Sequence, residues 1–221
     1  MGSSPYINKK ATSEKASFLE VAFLLIYGEL PNNEQLAKFQ KDIKTNSVVD
    51  EDVKKILDAF PKSAHPMGVL SSLTSALTAF NPSSVNVNSE EAMYNTVVKI
   101  MGKFPVLVAW TMRKKQGLPL DYGDKHLGYV ENVLKMMFKQ PNEEYKHNPV
   151  LINALDKLLI LHADHEQNCS TSTVRMVGSS HAGLFAVLSA GISALWGPLH
   201  GGANQAVLEM LEAIKEDGGD T

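Results

Sequence analysis

The chain has one cysteine, Cys169, and only two arginines, Arg113 and Arg175. A lone cysteine excludes an intrachain disulfide, and seven histidines without a C-x-x-C pair give no structural zinc motif. The 21 basic residues are outnumbered by 24 acidic ones and form no separate block, so the electrostatic footprint of a nucleic-acid binder is missing. Between Arg175 and Glu209 there is no charge of either sign, and Ala182 to Leu199 is apolar or small throughout. That run has the length of a membrane span. Gly183, Ser189, Gly191, Ser193 and Pro198 interrupt it, and no basic or aromatic cluster flanks it, so it reads as a helix buried on all sides. The opening MGSSPYINKKATSEKAS lacks the apolar centre of a signal peptide. Together these absences imply a cytoplasmic protein whose partners are small molecules or proteins, with no membrane and no nucleic acid.

Strand patterns are lacking too, and what stands in their place is helical. Phe18, Val21, Ala22, Leu25 and Ile26 recur at helical spacing, as do Ile152, Leu155, Leu158, Leu159 and Leu161. Turn-forming clusters at 28–34, 60–68, 80–89, 116–124 and 140–149 separate such segments. Ser89 before Glu90 and Glu91 reads as an N-cap, and Asn148-Pro149 as a cap followed by proline at the first helical position. A hydrophobic content of 44% supplies a core. The expectation is an all-α body of about ten helices.

Two histidine clusters carry the chemical interest. In LHADHEQNCSTST, His162 and His165 are spaced to share a helix face, but an H-E-x-x-H zinc motif starting at His165 meets Cys169 where its second histidine belongs. Readings that remain are histidines capping a helix C-terminus, and an anion site in which an imidazole joins Asn168, Ser170 and Thr171 around a carboxylate. Cys169, among small hydroxylated residues, reads as a packing residue. In GPLHGGAN, His200 stands between Pro198 and the pair Gly201, Gly202. If the last helix opens near Gly202, its positive dipole end disfavours a second positive charge, so the imidazole is expected to be uncharged. An uncharged imidazole there donates an N–H to a carbonyl oxygen and binds it more tightly as the oxygen becomes an enolate. Glycines beside it allow close approach and unusual dihedral angles. A plain helix cap on a glycine-requiring turn fits the same spacing.

LHADHEQNCSTSTVRMVGSS at 161–180 and GISALWGPLHGGANQAVLEML at 191–211 closely resemble the citrate synthase family, in particular its bacterial type carrying HGGAN. The similarity continues through SFLEVAFLLIYGELP, HPMGVLSSLTSALTAF and NPVLINALDKLLILHADHE. The resemblance implies a mostly helical fold and condensation of acetyl-CoA with oxaloacetate to citrate and CoA, at the start of the tricarboxylic acid cycle. It implies no cofactor and no metal, acetyl-CoA being a substrate. By it, His200 is catalytic and hydrogen-bonds the thioester carbonyl while an aspartate takes a methyl proton. His165 and Asn168 bind oxaloacetate, Ser170 orients His200, and Gly201 and Gly202 support the turn. It further implies a homodimer or higher homo-oligomer.

The chain also departs from the family pattern. The GHRVYK-like motif with its histidine, the catalytic aspartate and the carboxylate-gripping arginines have no match, Arg113 and Arg175 lying outside such motifs. The expected layout is a leader outside the family at 1–15, then a partial large domain at 16–221 ending just after the HGGAN helix, without most of the small domain. Alone, such a piece is expected to be inactive. Other readings are a helical assembly module, one half of a split enzyme, or a methylcitrate synthase acting on propionyl-CoA.

Overall fold

The computed structural model describes residues 16–164 and 166–219; the expected leader and His165 lie outside the described residues. Among the described residues there are ten α-helices, one short 3-10 turn and no strand, in agreement with the helical spacing. In chain order they are α1 (Phe18–Tyr27), α2 (Asn33–Thr45), α3 (Glu51–Ala59), α4 (Pro66–Phe80), the 3-10 turn (Pro82–Val85), α5 (Glu90–Gln116), α6 (Tyr129–Phe138), α7 (Pro149–Leu161), α8 (Cys169–Gly178), α9 (Leu184–Leu195) and α10 (Gly202–Glu216). Their ends follow local chemistry. Ser89 accepts the Ala92 N–H to open α5, and Asn148 accepts those of Val150 and Leu151 to open α7, with Pro149 in the first turn. Helix α1 opens on a reciprocal Ser17–Glu20 capping box and stops at Gly28, whose φ of 80° is the left-handed conformation glycine favours.

The axis of the structure is α5, whose 27 residues span about 40 Å at helical rise. Its first half packs against α1 and α2 around Leu19, Phe23, Phe39, Ile43 and Val98. Farther along, Leu107 and Trp110 sit in the main core with Leu57, Leu73, Leu77 and Phe185. Gly102 marks where α2 comes close, because a Cβ there would lie 2.6 Å from the Ile43 carbonyl oxygen.

Pro105 lies inside α5 and has no N–H to give to the carbonyl four residues earlier, that of Met101. The Tyr129 hydroxyl, at the start of α6, donates to that carbonyl at 3.0 Å. Burial raises the Tyr129 phenol well above its ordinary pKa, which keeps it a donor at any physiological pH. At the other end of α5 the buried Arg113 meets backbone carbonyls instead of a carboxylate. Its Nη1 donates to Met136 at 3.2 Å and Lys139 at 2.8 Å, and its Nε donates to Pro119. Met136 and Lys139 form the C-terminal end of α6, the negative end of that helix, so the guanidinium charge is matched by backbone dipoles.

Helix α4 carries the structure from α5 to α9, and α9 carries it on to α8. Ser71 on α4 and Ser189 and Ser193 on α9 interlock, with Ser71 Oγ 2.7 Å from Ser193 Oγ and Ser189 Oγ donating to the Ser71 carbonyl at 2.9 Å. Small hydroxylated residues let the two helices approach and satisfy each other's polar atoms.

The expectation that 182–199 is a helix buried on all sides needs correction. Helix α9 is 12 residues long and buries Phe185, Val187, Gly191 and Ile192, whereas Leu195 and Trp196 are partly exposed and Leu199 is fully exposed. It packs mainly on α4 and α8, with lesser contacts to α5 and the 3-10 turn, and the side turned away from these stays bare. Among the described residues no helix is long and apolar enough to cross a membrane. On α7 the helical period also appears, but of its apolar positions only Ile160 is buried, and Val150, Leu151, Leu158 and Leu161 stand exposed.

Replacing Tyr129 with Phe strands the partly buried Met101 carbonyl and is expected to cost about 1–2 kcal/mol in urea unfolding. In a Pro105→Ala background the same replacement should cost markedly less, because the restored amide supplies the missing donor. A double-mutant cycle measures the difference.

Candidate active site

The sequence-selected residues other than His165 gather where α8, the end of α9 and the start of α10 meet. Gly191 sets the spacing between α8 and α9, since a Cβ on it would come within 2.7 Å of Val174 Cγ2 and 3.9 Å of the Ser170 carbonyl oxygen. Its bare backbone lets the first turn of α8 lie against α9. Asn168 caps α8, its side-chain oxygen accepting the Thr171 N–H at 2.9 Å. The second residue of the helix, Ser170, then points its hydroxyl at the chain that follows α9.

That chain is a tight turn. The His200 N–H donates to the Gly197 carbonyl at 3.0 Å and the Gly201 N–H to the Leu195 carbonyl at 2.9 Å. Gly201 lies so close to α9 that a Cβ would be 2.2 Å from the Leu195 carbonyl oxygen, while its φ of −69° and ψ of −24° are open to any residue. The expected role of this glycine in unusual dihedral angles is therefore corrected: it is required by contact with the protein's own backbone. Gly202 meets only ordinary contacts, the nearest at 3.6 Å.

Helix α10 begins at Gly202, which puts His200 just ahead of its N-terminus. The half-buried His200 ring meets Ser170 there, with Nε2 2.7 Å from Ser170 Oγ. Two helices thus present their amino ends to one place, α8 through Asn168 and Ser170, α10 through Gly201 and Gly202. The positive ends of both helices favour negative charge at that point. An imidazole held by a hydroxyl on one nitrogen has its other nitrogen directed elsewhere, which is the arrangement of a donor to an oxygen on which charge accumulates.

The remaining candidates fall differently. His162 is the C-cap of α7, and its Nδ1 donates to the Leu158 carbonyl at 2.8 Å. This is the capping role that a histidine at a helix C-terminus can fill. Cys169 is exposed at the first position of α8, so it is not a packing residue. Among the described residues no group of three His, Cys, Asp or Glu is disposed to hold a metal ion.

Sequence reasoning passed over the anchor of the turn. Trp196, immediately before it, stacks on His65 with ring centroids 5.0 Å apart, and lies over Gly68, where a Cβ would be 3.1 Å from the indole. His65 itself caps α4, its Nδ1 accepting the Met67 N–H at 3.2 Å. The signal was the H-P-M-G sequence at 65–68, whose glycine has no role in turning the chain and serves to admit an aromatic ring.

Comparison with known proteins gives a consistent picture. Residues 7–220 match the family described as citrate synthase, C-terminal domain. Citrate synthase 1 of Mycobacterium tuberculosis is 50% identical over 208 residues, 94% of this chain and 48% of that protein. Citrate synthase of Corynebacterium glutamicum is 50% identical over 209 residues, with the same coverage. Among solved structures, the citrate synthase of Pyrobaculum aerophilum superimposes with a TM-score of 0.80 at 29% identity, over 97% of this chain and 57% of that one. A ternary complex of the Thermoplasma acidophilum citrate synthase with carboxymethyl coenzyme A and oxaloacetate shares the fold, with a TM-score of 0.83 at 22% identity. The chain spans about half the length of the curated relatives it matches.

The two adjacent glycines should separate sharply on substitution. Gly201→Ala is expected to destabilise by about 1–3 kcal/mol or more, as overpacking against an immovable carbonyl does, whereas Gly202→Ala should stay within about 0.5 kcal/mol of the parent. Thermal denaturation of both variants checks this.

Proposed function

The chain belongs to the citrate synthase family, and from that premise we propose that it supplies the His200 portion of an active site condensing acetyl-CoA with oxaloacetate to citrate and CoA. The observation that carries the reading is the 2.7 Å contact between Ser170 Oγ and His200 Nε2 at the joint amino ends of α8 and α10. In this reading the Ser170 hydroxyl donates to Nε2, which places the ring proton on Nδ1 and offers it to the thioester carbonyl of acetyl-CoA. As a methyl proton leaves, negative charge grows on that oxygen. A fixed N–H donor and two helix termini stabilise it without having to reorganise, so the enolate forms more readily than in water. The enolate carbon then attacks the oxaloacetate carbonyl, and hydrolysis of the resulting thioester releases CoA.

Oxaloacetate would lie on the α8 side, where Asn168 has its carboxamide oxygen committed to the helix cap and its nitrogen to offer a carboxylate. His165 is the second oxaloacetate ligand in this proposal, and Gly201 and Gly202 keep the floor of the site at backbone level. The carboxylate base and the carboxylate-gripping arginines of the family pattern have no match among this chain's motifs, and in this reading they are what completes the site. HGGAN assigns the whole to the bacterial type of the family, a cytoplasmic homo-oligomer acting at the first step of the tricarboxylic acid cycle.

A chimera tests the reading. The 209-residue matching segment of the Corynebacterium glutamicum enzyme is replaced by this chain, and CoA thiol release from acetyl-CoA and oxaloacetate is followed. The chimera is expected to turn over, and His200→Ala to lower kcat by about 10²–10³, the loss typical of one oxyanion donor. Ser170→Ala should lower kcat less, with the acetyl-CoA KM little changed. A folded chimera in which His200→Ala leaves kcat intact overturns the assignment. The isolated chain should release no CoA above the buffer rate, since proton abstraction requires a positioned base.

A further inference from the structure

Helix α7 has little hold on the body of the protein. Ile160 is its one buried residue, and the helix packs mainly on α1 and α6. Where it meets α1 the contact is polar as well as apolar. The Phe18 N–H donates to Asp156 Oδ1 at 3.0 Å, and Lys157 Nζ donates to the Ala16 carbonyl at 2.8 Å. Phe18 is the first residue of α1, so its amide is one of those that a helix leaves without an internal partner. The Ser17 hydroxyl takes the Glu20 amide of the same turn. Asp156, 138 residues away from Phe18, takes the other and sets a carboxylate on the positive end of α1.

Below this clamp Ile160 closes on Ala16 and Val21, and Ala163 packs against the same cluster. Asp156, Ile160 and Ala163 are spaced four and three apart, one row along one side of α7 and into the connection that follows. Ala163 stands two positions before His165 in sequence. The row therefore runs from the opening of α1 into the segment 162–168 that joins α7 to α8.

We propose that Asp156 is a positioning residue: by capping α1 it fixes the axis of α7 and so the path of 162–168, and through that path the binding of oxaloacetate. The last clause rests on the function proposed above. At its far end the connection is fixed independently, Asn168 capping α8 and Gly191 letting α8 lie against α9. The near end has no comparable seat, since Val150, Leu151, Leu158 and Leu161 are each at least 51% exposed. Asp156 is about 8 Å from the last residue of α7 at helical rise. Without its cap Ile160 is left as a pivot, and a tilt of α7 displaces the connection. His200 hangs from the α9–α10 turn and meets Ser170 on α8, so the displacement falls on oxaloacetate and spares acetyl-CoA.

Asp156→Ala, Asp156→Asn and Ser89→Ala test this by two measurements. Asparagine keeps an oxygen for the Phe18 amide, whereas Ser89→Ala removes a cap from α5 and leaves α7 untouched. In the full chain, Asp156→Ala should quicken amide hydrogen exchange at 17–20 and at 158–164 by about tenfold, the effect of losing one hydrogen bond to a charged group, while 169–178 keeps its protection. Asp156→Asn should recover most of that protection, and Ser89→Ala should leave both segments as they were. Asp156→Leu, of similar size but without an acceptor, replaces the alanine variant if that variant does not fold. In the chimera with the Corynebacterium glutamicum enzyme, Asp156→Ala is expected to raise the oxaloacetate KM about tenfold and to hold the acetyl-CoA KM within about twofold. Unchanged exchange at 158–164 overturns the proposal whatever the chimera does. So does an active chimera whose oxaloacetate KM stays in place, or rises equally in Ser89→Ala. Quickened exchange together with an inert parent chimera upholds the positioning role and counts against the catalytic reading alone.

Discussion

Two missing Cβ atoms hold the candidate site together. At Gly191 the backbone of α9 admits Val174 and the first turn of α8, and at Gly201 the turn folds back onto the Leu195 carbonyl. At 2.2 Å from a backbone oxygen a Cβ on Gly201 cannot be accommodated without moving the turn, and at 2.7 Å one on Gly191 forces the Val174 side chain aside. With both in place, Ser170 and His200 are 30 residues apart in sequence and 2.7 Å apart in space. The hydroxyl then fixes the ring, and the ring fixes where a ligand oxygen would be polarised.

Farther out, the fold repays its departures from ideal helix with specific partners. Pro105 removes a donor from the centre of α5, and Tyr129 returns one. Arg113 brings a charge into the interior, and the carbonyls at the end of α6 and of Pro119 surround it. Both devices tie α6 to α5 at two points along its length. The α4–α9 seam of interlocked serines transmits that rigidity to the helix whose end carries the site, and the His65–Trp196 stack pins the turn at its start. Rigid support of this kind is what keeps a donor within tenths of an ångström of its target.

The balance of covered and bare surface follows from the same architecture. The helices packed on α5 each bury two or more apolar residues, whereas α7 buries one and α8 and α10 none. Conformational entropy lost in ordering a helix is normally offset by the burial of one face, so helices with bare faces are where this chain has most to gain from a partner.

Much of the local structure was written in the sequence. Helical spacing marked the class, Ser89 and Asn148-Pro149 marked the caps, and the last helix was legible as opening near Gly202 or Asn204, the structure choosing Gly202. The pairing of Ser170 with His200 was not readable from spacing; it entered through the resemblance to a family, and the geometry now places those two atoms in contact. Burial was the least legible property. Leu158, Leu161 and the apolar residues of α10 have the period of core residues, yet period records only which side of a helix is apolar. Whether another element covers that side depends on tertiary packing, as does whether a glycine serves a dihedral angle or a neighbouring carbonyl. Sequence determined the helices and the chemistry they carry, because caps and periodicity act within a few residues. Only the three-dimensional structure decided which groups touch and which faces remain bare, because those contacts join residues that the chain holds far apart.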